Sequence, residues 1–101
     1  MTPAEYAAWR RDGVPHFLLD VRQPEEYEVA RITGATLIPL NELPGRLAEL
    51  PKDLPLIVMC HHGMRSAHAV HHLREAGLDA HNLTGGIDAW SREIDRKVPN
   101  Y

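Results

Sequence analysis

The run Leu56-Ile57-Val58-Met59-Cys60 is the longest unbroken apolar stretch of the chain, and it stops abruptly at His61-His62-Gly63-Met64-Arg65. Five apolar residues are the length of a buried strand and far short of the ~20 needed to cross a bilayer. Other short apolar runs, within His16–Arg22, Thr36–Ile38 and Asp79–Leu83, have the same character. Between them lie segments with helical signals. Thr2, Pro3 and Glu5 make a capping box with proline at the first helical position, Tyr6 and Trp9 follow at i, i+3, and Gly13 stops the run. Pro24 with Glu25 and Glu26 opens a second helix. Asn41–Leu50 carries Leu43, Leu47 and Leu50 at helical spacing, across Pro44 and Gly45. Ser66–Ala76 puts Ala69, Val70, Leu73 and Ala76 on one face before Gly77, and Ile87–Ile94 is the last helix. The tail, Arg96–Tyr101, reads as irregular. Strands alternating with helices force a mainly parallel sheet covered on both faces, an α/β layer fold, because parallel neighbours need crossover connections. Strand order is not encoded in periodicity.

Composition sets limits on partners. The chain has 101 residues, 44% hydrophobic and 25% charged, with a net charge of −3. This is expected to be one domain spanning residues 1–101. No basic field invites nucleic acid, and no apolar segment invites a membrane. The first residues lack the charged and apolar segments of a secretory signal, so the expected location is cytoplasmic. A single cysteine forms no internal disulfide and leaves its thiol free.

Cys60 stands at the carboxyl end of the most apolar strand, where parallel α/β sheets place their sites. Gly63 allows the sharp turn into the next helix. The loop N–H groups and the helix N-terminus would then face whatever the sulfur carries, and a thiolate is favoured beside such groups and beside Arg65. Free cysteine is also a common buried small hydrophobe, but here the apolar pattern ends at the thiol and polar residues begin.

The segment C-x-x-G-x-R-S, Cys60 to Ser66, resembles the active-site loop of rhodanese domains. Leu18-Leu19-Asp20-Val21-Arg22-Gln23-Pro24-Glu25-Glu26-Tyr27 resembles the family's N-terminal signature, and Ile32–Leu40 resembles the second, with Ala30-Arg31 where Gly-His is usual. Leu83-Thr84-Gly85-Gly86-Ile87-Asp88-Ala89-Trp90 matches the C-terminal signature. The resemblance implies a rhodanese-like three-layer fold with a five-stranded, mainly parallel sheet and helices on both faces. It implies sulfurtransferase activity of the thiosulfate type, with Cys60 cycling between thiol and persulfide. The sulfane sulfur would pass from a small-molecule donor, thiosulfate or a persulfide, to cyanide, a thiol or a protein cysteine. Related phosphatases and arsenate reductases carry C-x5-R. The six residues from Cys60 to Arg65 make the shorter C-x4-R loop of sulfur-transferring members.

Cys60 is thus the expected catalytic residue, and His61, His62, Gly63, Met64 and Arg65 the expected substrate-binding loop. No metal or organic cofactor is required by this chemistry, and the site needs no second subunit, so a monomer is expected. Asp20 and Arg22 read as a structural ion pair, and Trp90 and Tyr27 as packing aromatics. His68, His71, His72 and Glu75 share the solvated face of their helix, although histidines at i and i+4 can chelate a transition metal. Other readings are a non-catalytic rhodanese-like binding module, an oxyanion-handling enzyme and a metal-binding protein.

Overall fold

Four strands pair in parallel in the order β2-β1-β3-β4: β1 (Phe17–Asp20), β2 (Thr36–Leu37), β3 (Leu56–Met59) and β4 (Ala80–Asn82). The computed structural model describes residues 1–101. β1 and β3 lie side by side at the centre, with Phe17 opposite Leu56 and Asp20 opposite Met59. Strand alternation divides the core in two. Leu56, Val58 and Cys60 face one layer, with Leu43, Leu50, Ala69, Val70 and Leu73. Ile57 and Met59 face the other, with Tyr6, Leu83, Ile87 and Trp90.

The helices follow from the same local signals. α1 (Pro3–Asp12) has the expected capping box, with Thr2 accepting from the Glu5 N–H and Glu5 accepting from the Thr2 N–H. α2 (Pro24–Val29) is a short helix with no fully buried residue. α3 (Met64–Glu75) and α4 (Gly86–Glu93) cover opposite faces of the sheet. Each begins one or two residues earlier than periodicity predicts, because a glycine in left-handed backbone precedes it: Gly63 at φ 106° and Gly85 at φ 78°.

Two expectations change. The Asn41–Leu50 segment is a 3₁₀ segment, Leu40–Glu49, broken at Arg46 (φ −126°). Pro44 lies inside it and removes one backbone donor, which an α-helix does not tolerate. The sheet has four strands, not five. Along the outer edge of β4 only Met1 makes ladder-like bonds, donating to the Asn82 carbonyl (2.9 Å) and accepting from the Thr84 N–H (2.8 Å). Thr2 already caps α1 there, so the extended backbone goes no further.

The strand order places the topological switch between β1 and β3, since β2 lies beyond one and β4 beyond the other. Chain segments leaving the carboxyl ends of those strands part at that point and leave room for a site. Arg22, Cys60 and Gly85 all emerge at this end.

Candidate active site

The pleat of β3 turns Cys60 toward the α3 layer, so the thiol sits directly under the N-terminus of that helix. Cys60 is 1% exposed. Its Sγ accepts a hydrogen bond from the Gly63 N–H at 3.0 Å and lies 3.3 Å from Ser66 Oγ. The N–H groups of His61, His62, Met64, Arg65 and Ser66 have no acceptor within the protein. A loop that closes on a sulfur while leaving five donors unpaired is an anion cradle, reinforced by the positive end of α3.

Gly63 makes the turn possible. A side chain at its φ of 106° is strained, and a Cβ would come within 3.3 Å of the Gly85 nitrogen. The second clamp is the start of α4, where Ile87 N–H donates to the Cys60 carbonyl (2.9 Å) and Asp88 N–H to the His61 carbonyl (3.0 Å). Gly86, at φ 61°, lies so close that any Cβ would collide with those two carbonyl oxygens. Gly86→Ala is therefore expected to displace the Cys60 loop, lowering stability by about 2–4 kcal/mol through strain and collision and cutting the rate of the sulfur transfer expected of Cys60 at least tenfold. Thermal denaturation and assay of the variant check both; a variant equal to the parent in both would show that the clamp is dispensable.

A side-chain relay lies beneath the sulfur. Asn82 donates from Nδ2 to the Gly63 carbonyl (3.0 Å), which fixes its amide so that Oδ1 faces Ser66 Oγ at 2.6 Å. Ser66 has one proton and two acceptors within reach, Asn82 Oδ1 and Cys60 Sγ. With a neutral thiol, the hydroxyl donates to Asn82 and presents a lone pair to the S–H. With a thiolate, the same proton can turn to the sulfur. The pair therefore accommodates both states of Cys60 without leaving a buried polar group unpaired.

Arg65, at the start of α3, has a carboxylate partner. Its guanidinium makes a two-pronged bond to Glu26, at 2.7 and 2.9 Å. This bond to Arg65, with help from the Gln23 N–H and the Tyr101 hydroxyl, holds the Glu26 carboxyl down at about 2. The Glu26 bond in turn raises the Arg65 guanidinium above its ordinary value. The positive charge beside the loop is thus largely neutralised by α2. Since Glu26 ionises at lower pH in the folded chain, its contribution to stability is present above the ordinary carboxylate range and is lost as pH falls through about 2.

Sequence reading missed Glu26, Asn82 and Tyr101 as site residues. Tyr101 lies flat on His61, with ring centroids 4.0 Å apart and planes 5° apart. Its hydroxyl donates to Glu26 (2.8 Å) and accepts from Arg22 (2.8 Å). Burial first, and then the Glu26 carboxylate, push its phenol up to about 12. His61 is covered on its other side by His62, at 3.9 Å between centroids, and its Nε2 is buried without a partner. His62 is exposed, and Met64 is 84% exposed at the mouth of the loop. His61, His62 and Asp88 bring potential metal-ligating atoms within 4.8 Å of one another. Asp88 is, however, already paired with Arg92 at 2.9 Å, and His61 is held in its stack.

Asp20 and Arg22 form the expected structural pair, both fully buried, with Arg22 Nη2 2.6 Å from Asp20 Oδ2. Trp90 is buried in the core beside Tyr6, and Tyr27 lies under Arg31. Two depressions, of about 340 and 260 Å³, lie elsewhere and do not include Cys60. No helix is long and apolar enough to cross a membrane.

Known proteins are similar to this chain in sequence and in fold. An adenylyltransferase and sulfurtransferase of Zea mays, MOCS3-1, is 38% identical over 109 residues, covering all of this chain but 23% of its own length. The chain likewise spans about a quarter of other relatives named for both activities. The uncharacterised protein YqhL of Bacillus subtilis is 40% identical over 98 residues, covering 96% of this chain and 75% of its own. A rhodanese-like domain protein from Staphylococcus aureus superposes with a TM-score of 0.87 at 32% identity, covering 100% of this chain and 96% of that one. The family model for the rhodanese-like domain matches residues 2–93. By sequence, fold and loop alike, the chain belongs to the rhodanese-like domain family.

Proposed function

We propose that this chain transfers a sulfane sulfur from thiosulfate or a persulfide to cyanide or a thiol, a protein cysteine included, through a persulfide on Cys60. The observation that carries the reading is the loop: a buried thiol at the carboxyl end of β3, bonded to the Gly63 N–H under the N-terminus of α3, with five further loop N–H groups left without a protein acceptor. The Cys60 thiolate attacks the sulfane sulfur and forms a new S–S bond. The bond that held this sulfur to its donor breaks, and the electron pair leaves with the sulfite or thiolate. The terminal sulfur carries the negative charge, and the loop donors from His61 to Ser66 hold it without solvent rearrangement. The acceptor then attacks that sulfur and releases the Cys60 thiolate. The six-residue C-x4-R loop, the length of sulfur-transferring members, supports one sulfur atom on Cys60 over a tetrahedral oxyanion. The reducing cytoplasm suits a lone reactive thiol. Nothing in the site calls for a second subunit.

Intact-mass measurement tests this directly. Thiosulfate, mercaptopyruvate or a low-molecular-weight persulfide is expected to add ~32 Da, one sulfur, and cyanide or a reductant to remove it. No adduct with any of these donors would leave the protein without a persulfide mechanism.

Site charge discriminates between donors. With Arg65 paired to Glu26, a dianionic donor meets no unpaired fixed cation in the loop. Glu26→Gln keeps the shape of the contact and frees one positive charge. It is expected to lower KM for thiosulfate about three- to tenfold, with kcat within twofold, since a partly exposed charge contributes about 1 kcal/mol. Added salt should erase the gain. An unchanged or raised KM would show that the Arg65 charge does not reach the donor.

A further inference from the structure

Sulfur chemistry at Cys60 makes no use of the imidazoles on the outer face of α3. His68 and His72 stand one helical turn apart, so their side chains rise over the same strip of surface. Their Nε2 atoms are 3.2 Å apart, and the rings meet edge to face with centroids at 4.6 Å. In the free pair, one Nε2–H donates to the other Nε2.

The same separation is the bite of a chelate. Two imidazole nitrogens, each ~2.05 Å from one ion, and 3.2 Å from each other, subtend an angle of about 100° at that ion. That lies between the ~90° of octahedral or square-planar coordination and the ~109° of a tetrahedron. The rings need only move the shared proton to the Nδ1 of the donating histidine. The surroundings favour the same arrangement. Leu40, Leu43, Pro44 and Leu47 of the 3₁₀ segment, with the two histidines, wall a depression of about 260 Å³. The pair already holds the chelating separation without metal, so less rearrangement is needed on binding.

We propose that His68 and His72 form a bis-imidazole site for a divalent transition-metal ion, with its remaining positions open to water or an incoming donor. Two neutral imidazoles without a carboxylate select nickel, copper or zinc and not magnesium or calcium, which take oxygen ligands. His71 does not join the pair, being 2.9 Å from Glu75. The site is distinct from the loop histidines, where Asp88 is held by Arg92.

Calorimetric titration of the chain, free of any histidine tag, with nickel(II) or zinc(II) chloride tests the site. One equivalent is expected to bind, and the unfolding temperature should rise with metal concentration. His68→Ala and His72→Ala should each weaken binding at least tenfold, while His71→Ala and His62→Ala leave it within twofold. With copper(II), electron paramagnetic resonance should show coupling to two nitrogens in the parent and one in either variant. Both rings are exposed, so circular dichroism of the variants should match the parent, and their metal-free sulfur transfer should be unchanged. No binding by the parent, parental affinity in both His68→Ala and His72→Ala, or loss of binding in His62→Ala would overturn the assignment. None of these outcomes depends on whether Cys60 carries sulfur.

Discussion

Cys60→Ser is expected to reduce sulfur transfer by about 10⁴-fold or more, to the uncatalysed background, because the nucleophile itself is removed. A serine hydroxyl is not ionised near neutral pH and forms no stable bond to a sulfane sulfur. Stability should change little. The replacement differs by one atom at a site that is 1% exposed, and the Gly63 N–H and Ser66 hydroxyl are already there to bond an oxygen. A loss of at most about 1 kcal/mol follows, or a few degrees in Tm for a chain of this size. The contrast between intact fold and absent chemistry separates catalysis from a binding role. Steady-state assay with a persulfide donor, beside thermal denaturation, reads both quantities. Transfer at the parental rate by Cys60→Ser would end the persulfide mechanism, whatever the family.

The location of that cysteine was legible in sequence, and its surroundings were only partly so. Leu56 to Cys60 alternates between the two core layers because strand side chains alternate, and the run ends where polar residues begin. Gly63 and the helix after it are local signals as well. The partners of the loop are not local. Ser66 meets Asn82 from β4, Arg65 meets Glu26 from α2, and Tyr101 reaches both Glu26 and Arg22 from the tail. Each of these pairs depends on strand order, which hydrophobic periodicity does not encode. Arg65 shows what a local reading leaves out: its positive charge at the rim of the loop was legible, and its carboxylate partner Glu26 on α2 was not. The tail residues Arg96–Tyr101 are irregular as expected, yet Tyr101 covers His61, because an irregular backbone can still deliver one ring to a site. The fifth strand came from family resemblance alone, and the cap at Thr2, itself legible, turns the backbone into α1 directly after Met1.

Arg22→Met is expected to destabilise the protein by about 3–5 kcal/mol, the usual consequence of removing one partner of a buried ion pair. The pair lies at the carboxyl end of β1, next to the β3 end that carries Cys60, and both side chains are fully buried. Arg22 gives Asp20 three side-chain hydrogen bonds, at 2.9, 3.1 and 2.6 Å, and its own backbone N–H adds a fourth at 3.0 Å. It also satisfies the Ala30 carbonyl (2.7 Å) and meets the Tyr101 hydroxyl. Methionine fills most of the volume and leaves the Asp20 carboxylate with one backbone donor in a dry environment, where an unpaired charge is costly. At roughly 4–8 °C per kcal/mol for a chain of about 100 residues, Tm should fall by about 15–30 °C. The loss arises from the orphaned carboxylate, so removing it as well should restore much of the stability. Arg22→Met combined with Asp20→Leu is expected to recover at least half of the lost Tm, as apolar replacements of buried ion pairs often do. Denaturation of the two single variants and the double variant decides the matter. If Arg22→Met unfolds within a few degrees of the parent, the pair does not brace the β1 end. If the double variant is no better than Arg22→Met alone, the loss comes from the Ala30 and Tyr101 contacts and not from Asp20. The double variant separates bracing from catalysis too, because it retains Cys60, Gly63 and Ser66 while losing the link from Arg22 to Tyr101.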